Sequence, residues 1–270
     1  MQNLTISVIQ SDLVWEDIDA NLKAFTEKIE ALGSTDLIVL PETFSTSFSM
    51  NSEYLAEPMD GKTMRWMAKI ANAKNTVVAG SAILKEGGQI FNRFIWMRPD
   101  GTYEKYDKRH LFRMGNEHSH FTAGTKRLIV ELKGWKICPQ ICYDLRFPVW
   151  SRNKKQEYDL LLYVANWPEI RIGAWEKLLH ARAIENQCYL AAVNRIGTDG
   201  LGVNCIGNSI IINPKGDLIW KAADQKEETK TAELSFRDLS DFRKKFPVGM
   251  DADEFELNEL LPVKITHNPS

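Results

Sequence analysis

Short apolar runs alternate with amphipathic stretches from one end of this chain to the other, and that grammar constrains its fold more than any other feature. Residues 37–40 (LIVL) and 159–165 (DLLLYVA) are almost unbroken apolar segments. Runs of that length suit strands covered on both faces. Leu4–Gln10 alternates apolar and polar residues and reads as an opening strand. Between the runs, 17–32 places Ile18, Leu22, Phe25 and Ile29 on one helical face, and 61–75 does the same with Met64, Met67, Ala68 and Ala71. Residues 76–84 and 90–97 read as strands, and Pro99-Asp100-Gly101 turns the second into a hairpin with 102–106.

The second half repeats the pattern. Strands are expected over 127–132, 135–139, 159–165, 189–196, 205–212, 217–222 and 229–234, with Asn213-Pro214-Lys215-Gly216 as a hairpin turn. Helices are expected over 174–187 and 236–246, and a polar, acidic tail from Pro247 is placed on the surface. No Gly/Ser/Pro-rich linker and no close repeat divides the chain, so residues 1–270 read as one α/β domain. Hairpins inside an alternating pattern imply mixed sheets. Two such sheets packed face to face with helices outside fit the pattern, though composition alone does not fix the layering.

Charge and composition exclude several classes. Lys+Arg is 34 against 36 Asp+Glu, a net charge of −2, which argues against a general nucleic-acid binder. With 8 Trp, 12 Phe and 7 Tyr the chain is too aromatic for disorder. No apolar run is long enough to cross a bilayer, and no basic segment precedes the first apolar run, so neither a membrane anchor nor a signal peptide is expected. Cys138, Cys142, Cys188 and Cys205 have no zinc-site spacing and fit a cytoplasmic protein with reduced thiols. One of them can then be a nucleophile.

Three segments place reactive side chains at strand ends, where a rigid sheet holds a loop. In Leu40-Pro41-Glu42-Thr43-Phe44 the proline ends the ladder, so Glu42 is either a solvated loop carboxylate or a half-buried general base. In Tyr106-Asp107-Lys108-Arg109-His110-Leu111-Phe112, Lys108 is either a solvated charge or a cation beside a nucleophile. His110 suggests a Cys–His pair, but Leu111 and Phe112 point to packing. In Ile141-Cys142-Tyr143-Asp144-Leu145-Arg146-Phe147-Pro148 a strand runs into a helical turn at Cys142. A thiol at such an elbow has backbone N–H groups beside it that favour a thiolate or hold an oxyanion; the alternative is a packed core cysteine. Cys138 lies within the strand and reads as core, and Cys188 and Cys205 read as structural. A redox pair of Cys138 and Cys142 is weakened by the C-x-x-x-C spacing and by Pro139 inside it.

Taken in order, Glu42 in PETF, Lys108 in DKRHLF and Cys142 in CYDLRFP resemble the Glu-Lys-Cys triad of the nitrilase superfamily, the carbon–nitrogen hydrolases. The likeness runs from the first strand to about Phe246 and includes YVANWP (163–168), ARAIENQ (181–187) and NPKG (213–216). It implies a four-layer α-β-β-α sandwich, a homodimer formed through helices of the second half, and hydrolysis of a small-molecule amide without metal or organic cofactor. HLFRMGNEH and VANWPE look most like bacterial ω-amidases, which release ammonia from 2-oxoglutaramate and 2-oxosuccinamate.

By this resemblance Cys142 is the nucleophile and Glu42 the base. Lys108 and the Tyr143 backbone N–H form the oxyanion hole. Glu117, shortly before Gly124, matches a second family glutamate that holds the lysine and assists the water; a surface carboxylate is its plainer reading. An ω-amidase substrate ends in a carboxylate, so Arg146 is the candidate cation, with a salt bridge to Asp144 or Glu185 as the alternative, and Arg113 is a second candidate. Phe44, Phe48, Phe121 and Trp167 are candidates for apolar walls or for core. Arg182 and Glu185 read as a helical i,i+3 pair. Two departures bear on the substrate. Val149-Trp150 follow Pro148 where many relatives carry a glutamate, and the loop after Trp167 lacks the Thr/Gly-rich segment of eukaryotic ω-amidases. The alternatives are another small-amide or N-carbamoyl amide hydrolase of the superfamily, or an inactive dimeric binding scaffold.

Overall fold

The unbroken apolar runs become strands buried on both sides, and each face has a different partner. On the strand Leu160–Ala165, Leu160, Leu162 and Val164 point into one core, while Leu161, Tyr163 and Ala165 point into another. That is the two-residue period of a pleated strand read twice. The computed structural model describes residues 2–256; the part of the expected tail beyond 256 lies outside the described residues.

In chain order the first part contains β1 (Leu4–Gln10), α1 (Ile18–Glu30), β2 (Leu37–Val39), α2 (Ser52–Leu55), β3 (Glu57–Pro58), α3 (Lys62–Lys74), β4 (Val77–Glu86), β5 (Gln89–Met97) and β6 (Tyr103–Asp107). The rest contains β7 (Val130–Leu132), β8 (Trp135–Ile141), α4 (Pro148–Ser151), β9 (Leu160–Ala165), α5 (Ile172–Asn186), β10 (Tyr189–Asn194), β11 (Ile196–Thr198), β12 (Asn204–Ile206), β13 (Ile210–Ile212), β14 (Leu218–Lys221), β15 (Glu228–Leu234) and α6 (Phe236–Lys245). One sheet has the order β15-β1-β2-β4-β5-β6, with β3 beside β4; the other has the order β14-β13-β10-β9-β8-β7. Both are mixed. β1, β2 and β4 are parallel, as are β8, β9 and β10, and antiparallel strands flank each group.

The layers follow from which side chains meet. Leu4, Ile6, Val8, Val39 and Trp96 of one sheet share a core with Ile137, Leu162, Val193 and Ile211 of the other. Ile9, Ile38 and Ile95 turn outward onto Leu22, Phe25, Met64 and Met67 of α1 and α3. Leu161, Tyr163 and Leu190 turn outward onto Trp175, Leu179 and Ala183 of α5. The result is the α-β-β-α sandwich of two mixed sheets that the sequence suggests. Among the described residues no helix is long and apolar enough to cross a membrane.

Two expected strands are corrected. Residues 205–212 do not form one strand, because Gly207 (φ 83°) and Asn208 (φ 61°) enter the left-handed region. The Gln10 side chain occupies that break: a Cβ on Gly207 would lie 2.3 Å from it, and its amide oxygen accepts the Ser209 N–H at 2.9 Å. Residues 189–196 likewise divide at Arg195. The freed pieces, β11 and β12, pair as a separate hairpin beside the site.

The ends of the parallel strands set the site. β2 leads to Glu42, β8 to Cys142, β9 to Asn166 and β10 to Arg195. β6 runs in the same direction as β4, because each is antiparallel to β5, so Lys108 follows at the same end. Ligands of open α/β sheets favour that carboxyl edge. Gly124 fastens the segment that leaves it. Its N–H donates to the Lys108 carbonyl at 2.9 Å, and a Cβ there would stand 2.0 Å from the Asp107 carbonyl oxygen.

Gly124→Ala is therefore expected to displace the Asp107–Lys108 backbone. The loss should be about 1–3 kcal/mol of stability, typical of overpacking, together with lowered amide turnover. Gly173→Ala is the control, since a Cβ there meets nothing within 4 Å on α5. It should leave the melting temperature unchanged or slightly raised. Thermal melts of both variants check this.

Candidate active site

A lysine with no water around it needs anions, and Lys108 has two. Its Nζ donates to Glu42 Oε1 at 2.8 Å and to Glu117 Oε1 at 2.9 Å, and all three side chains are within 1% of full burial. Removing three charges from water costs several kcal/mol each, which only well-placed hydrogen bonds offset. Here each carboxylate oxygen has at least one donor. Asn92 Nδ2 donates to Glu42 Oε1 at 2.8 Å and to Glu117 Oε1 at 3.2 Å. Glu42 Oε2 accepts the Asn166 N–H at 2.7 Å, and Glu117 Oε2 accepts the Phe112 N–H at 2.5 Å. Asn92 is itself oriented, because the Ser81 hydroxyl donates to its Oδ1 at 2.9 Å while accepting the Thr43 N–H at 2.8 Å. That last bond also fixes Thr43, whose φ of 42° turns the chain just after Glu42.

Cys142 follows β8 with φ 44°, a conformation that costs a non-glycine residue about 1–3 kcal/mol and needs support. Asp144 supplies it. Its carboxylate accepts the Ile141 N–H at 3.0 Å, the Tyr106 hydroxyl at 2.7 Å and the His110 N–H at 2.9 Å, and lies 2.8 Å from His110 Nδ1. One buried carboxylate thus joins the cysteine elbow to the lysine strand. His110 belongs to this support and stacks on Phe147 with centroids 3.7 Å apart. The packing reading of that histidine holds.

The groups divide by proton affinity. Burial alone would lower the Lys108 ammonium, but the Glu117 and Glu42 charges outweigh it and hold it above its ordinary range. Burial raises the Glu117 carboxyl, and the Glu42 charge adds to this against Lys108. Burial pushes the Cys142 thiol well above its usual range; the Glu42 charge adds to that more than Glu117 does, and Lys108 opposes it. The lysine is thus a fixed cation, the thiol rests protonated, and Glu42 is the carboxylate that acts most on it. The expectation that elbow N–H groups favour a resting thiolate is outweighed by burial.

Cys142 is partly exposed to a cavity of about 810 Å³, mouth included, at whose base Glu42 and Lys108 also lie. Phe48, Phe112, Tyr143, Asn166 and Trp167 line it, with Leu201, Val203 and Cys205 of the β11–β12 hairpin. Arg146, Arg171 and Arg195 also line it. Tyr143 follows Cys142 in a single 3-10 turn (Cys142–Arg146), where first-turn N–H groups have no intrahelical acceptor.

The sequence candidates separate here. Glu42, Lys108, Cys142, Tyr143, Arg146 and Trp167 line the cavity, and Glu117 closes the charged cluster behind it. Arg146 forms neither expected salt bridge. The Asp144 oxygens are taken as above, Glu185 pairs with Arg182 at 3.0 Å, and the Arg146 guanidinium lies 5.0 Å over the Trp167 ring. Three candidates are corrected. Arg113 is exposed outside the cavity. Phe44 is buried against Phe25 and Trp66 beneath the helices, because Thr43 turns it away from the site. Phe121 packs with Leu55 and Ile83. Cys138 and Cys188 are core as read; Cys205 is buried but also lines the cavity, with its thiol pushed up to about 12 by burial. Sequence reasoning missed Asn92, Ser81, Asp144 as the elbow support, and Arg171. Asn166 lay within the quoted VANWP segment, but its bond to Glu42 was not foreseen.

A buried glutamate–lysine–glutamate cluster facing a cysteine at a strand elbow defines a cysteine hydrolase of the carbon–nitrogen class. The chain belongs to the carbon-nitrogen hydrolase family, whose model matches residues 5–244. It is 48% identical over 257 residues to the omega-amidase YafV of Escherichia coli K12, covering 95% of this chain and all of that one. It is 33% identical over 252 residues to the 2-oxoglutaramate amidase of Bacillus subtilis, covering 92% and 96%. Its fold superposes with a TM-score of 0.93 on XC1258 of Xanthomonas campestris, a CN-hydrolase superfamily protein with an arsenic adduct in its active site, at 43% identity over 95% of this chain and all of that one.

A thiol raised above its ordinary range stays neutral until the pH exceeds that raised value. The difference in absorbance at 240 nm between the native protein and Cys142→Ala should therefore show no thiolate signal from pH 6 to 8.5. A signal at neutral pH would contradict the buried, carboxylate-flanked thiol.

Proposed function

We propose that this chain is an ω-amidase that hydrolyses the terminal amide of 2-oxoglutaramate and 2-oxosuccinamate through a thioester on Cys142. The observation that carries the reading is the Lys108 ammonium held between two buried carboxylates at the base of the cavity that holds the Cys142 thiol. The identity to relatives named omega-amidase and 2-oxoglutaramate amidase supports the substrate.

In the proposed mechanism Cys142 Sγ attacks the amide carbon while its proton passes to Glu42. The oxygen gains charge opposite Lys108 and the Tyr143 N–H. Collapse breaks the C–N bond, and Glu42 returns the proton to nitrogen, which leaves as ammonia. Water then attacks the thioester carbonyl and Glu42 takes its proton; the C–S bond breaks, and Glu42 returns that proton to Cys142 Sγ, which restores the thiol and releases the 2-oxo dicarboxylic acid. Two easier steps replace one hard one. Glu117 keeps Lys108 in place and assists the water, and Arg146 binds the substrate carboxylate. The neutral resting thiol supports this order, because it makes a base necessary.

The same reading places the enzyme in the cytoplasm as a homodimer. Four free cysteines support the first. Exposed Ile184 on α5 and exposed Leu218 and Ile219 on β14 support an apolar face for a second copy.

Ammonia release from 2-oxoglutaramate should be abolished by Cys142→Ala. It should fall by at least about a hundredfold with Lys108→Ala, which removes the cation opposite the oxyanion. Turnover surviving in Cys142→Ala overturns the mechanism, and turnover of other amides only moves the substrate.

Asn92→Ala tests the cluster in another way. It removes a donor that both glutamates share, so the cluster around Lys108 loses a charged hydrogen bond on each side. Measured by ammonia release, kcat/KM should fall about tenfold to a hundredfold, since a hydrogen bond to a charged group is worth about 1.5–3 kcal/mol.

A further inference from the structure

Three guanidinium groups line the cavity, and they differ in what already holds them. Arg195 is spent on the protein. It donates to the Ile196 carbonyl at 2.9 Å, to Ser47 Oγ at 3.1 Å and to Asp12 Oδ1 at 3.2 Å. Among the described residues the guanidinium groups of Arg146 and Arg171 donate to no side chain or carbonyl and form no salt bridge, although the Arg171 backbone N–H donates to the Pro168 carbonyl at 3.0 Å. Each lies instead over an aromatic face: Arg146 at 5.0 Å from the Trp167 centroid and Arg171 at 5.1 Å from that of Phe112.

That mode of holding has a consequence. An aromatic face orients a guanidinium through its plane and leaves the in-plane N–H groups free, whereas a carboxylate partner would consume them. The aromatics are themselves fixed. The Trp167 N–H donates to Asn194 Oδ1 at 2.7 Å, and its indole donates to the Arg171 carbonyl at 2.9 Å. The Phe112 N–H donates to Glu117. Neither arginine pairs with a nearby carboxylate among the described residues. Asp199 lines the cavity with its Oδ1 accepting the Leu201 and Val203 N–H groups of its own loop, and Glu169 Oε2 accepts from Asn204.

We infer that Arg171 is a specificity-determining residue which, with Arg146, forms a two-point clamp for the 2-oxo acid end of the substrate. One fork meets the carboxylate, and the other meets the adjacent keto oxygen and the second carboxylate edge. This rests on the amidase reading and adds the residue that selects for a planar anion at the end remote from the amide. Arg171 sits after the ANWP segment, in a 3-10 turn (Glu169–Arg171) opening α5, so neither charge patterning nor strand-end logic marked it.

The test measures kcat and KM of the native enzyme, Arg171→Met and Arg171→Lys with 2-oxoglutaramate and with pentanamide, a neutral amide of the same chain length. Inhibition by 2-oxoglutarate is measured alongside. Arg171→Met should raise KM for 2-oxoglutaramate and Ki for 2-oxoglutarate about tenfold to a hundredfold, as loss of a charged hydrogen-bonding fork does. It should leave kcat and pentanamide turnover nearly unchanged, and Arg171→Lys should recover part of the loss. A native enzyme that prefers 2-oxoglutaramate while Arg171→Met keeps its KM and Ki overturns the clamp and leaves the amidase reading standing. Equal losses on both amides also overturn it, since that is the mark of a structural role. A native enzyme with no preference for the anionic amide overturns the substrate reading and the clamp together.

Discussion

The rest of the site depends on Lys108 remaining an ammonium without water. A buried cation with one carboxylate would be a neutral pair; with two, the cluster carries excess negative charge that further donors must share. This is why the surrounding polar residues are so particular. Asn92 divides its amide protons between the glutamates, Asn166 and Phe112 cap the outer oxygens, and Ser81 fixes the amide that does the sharing. Removing Lys108 from such a cluster leaves two uncompensated carboxylates, and breaking a buried pair by taking away one partner costs about 3–5 kcal/mol. The cluster is therefore rigid because its alternatives are expensive, and it presents the lysine to the cavity in one orientation.

The sandwich makes this arrangement possible. Glu42 and Lys108 leave one sheet, Cys142 and Asn166 leave the other, and all leave at the same end. Neither sheet alone holds the site. The bonds from Asn166 to Glu42 and from Asp144 to Tyr106 and His110 run across the sandwich at its rim. Sliding one sheet against the other would break charged hydrogen bonds before it broke apolar contacts. The inter-sheet core holds the layers together, and the polar rim sets their register.

Much of this was legible in the sequence because it followed from period and position. The two-faced runs announced buried strands, Pro41 marked the strand end at Glu42, and the strand-to-turn change marked Cys142. What stayed hidden needed distances between remote segments. Asn92 lies mid-strand in β5, where an asparagine signals nothing until Glu42 and Glu117 converge on it. Asp144 looked like a partner for Arg146, only two residues on, yet Tyr106 and His110 reach it first. The strand expected over 205–212 failed for a similar reason. Its residues favour strand locally, but the Gln10 side chain from the far sheet fills the space beside Gly207. Phe44 shows the local limit: its distance from Glu42 along the chain is small, but a left-handed Thr43 sends it to the other side of the sheet.

The neutral thiol explains why such a cluster suits hydrolysis of an unactivated amide. A resting thiolate beside Lys108 would be a ready ion pair, and attack on the substrate would have to break it. With the proton still on sulfur, charge appears only as attack proceeds, and it appears on the carbonyl oxygen opposite a cation already in place. In the proposed mechanism Glu42 gains the proton at the same moment, so its negative charge disappears from beside Lys108 as the oxyanion forms. The ammonium then faces a new anion in place of an old one. Net charge in the buried site hardly changes along the reaction, and a low-dielectric site penalises changes in charge more than charge itself when the balancing dipoles are fixed. In the proposed mechanism the two glutamates, the lysine and the cysteine thus act as one charge-conserving unit, and the proposed arginine clamp selects the substrate without taking part in it.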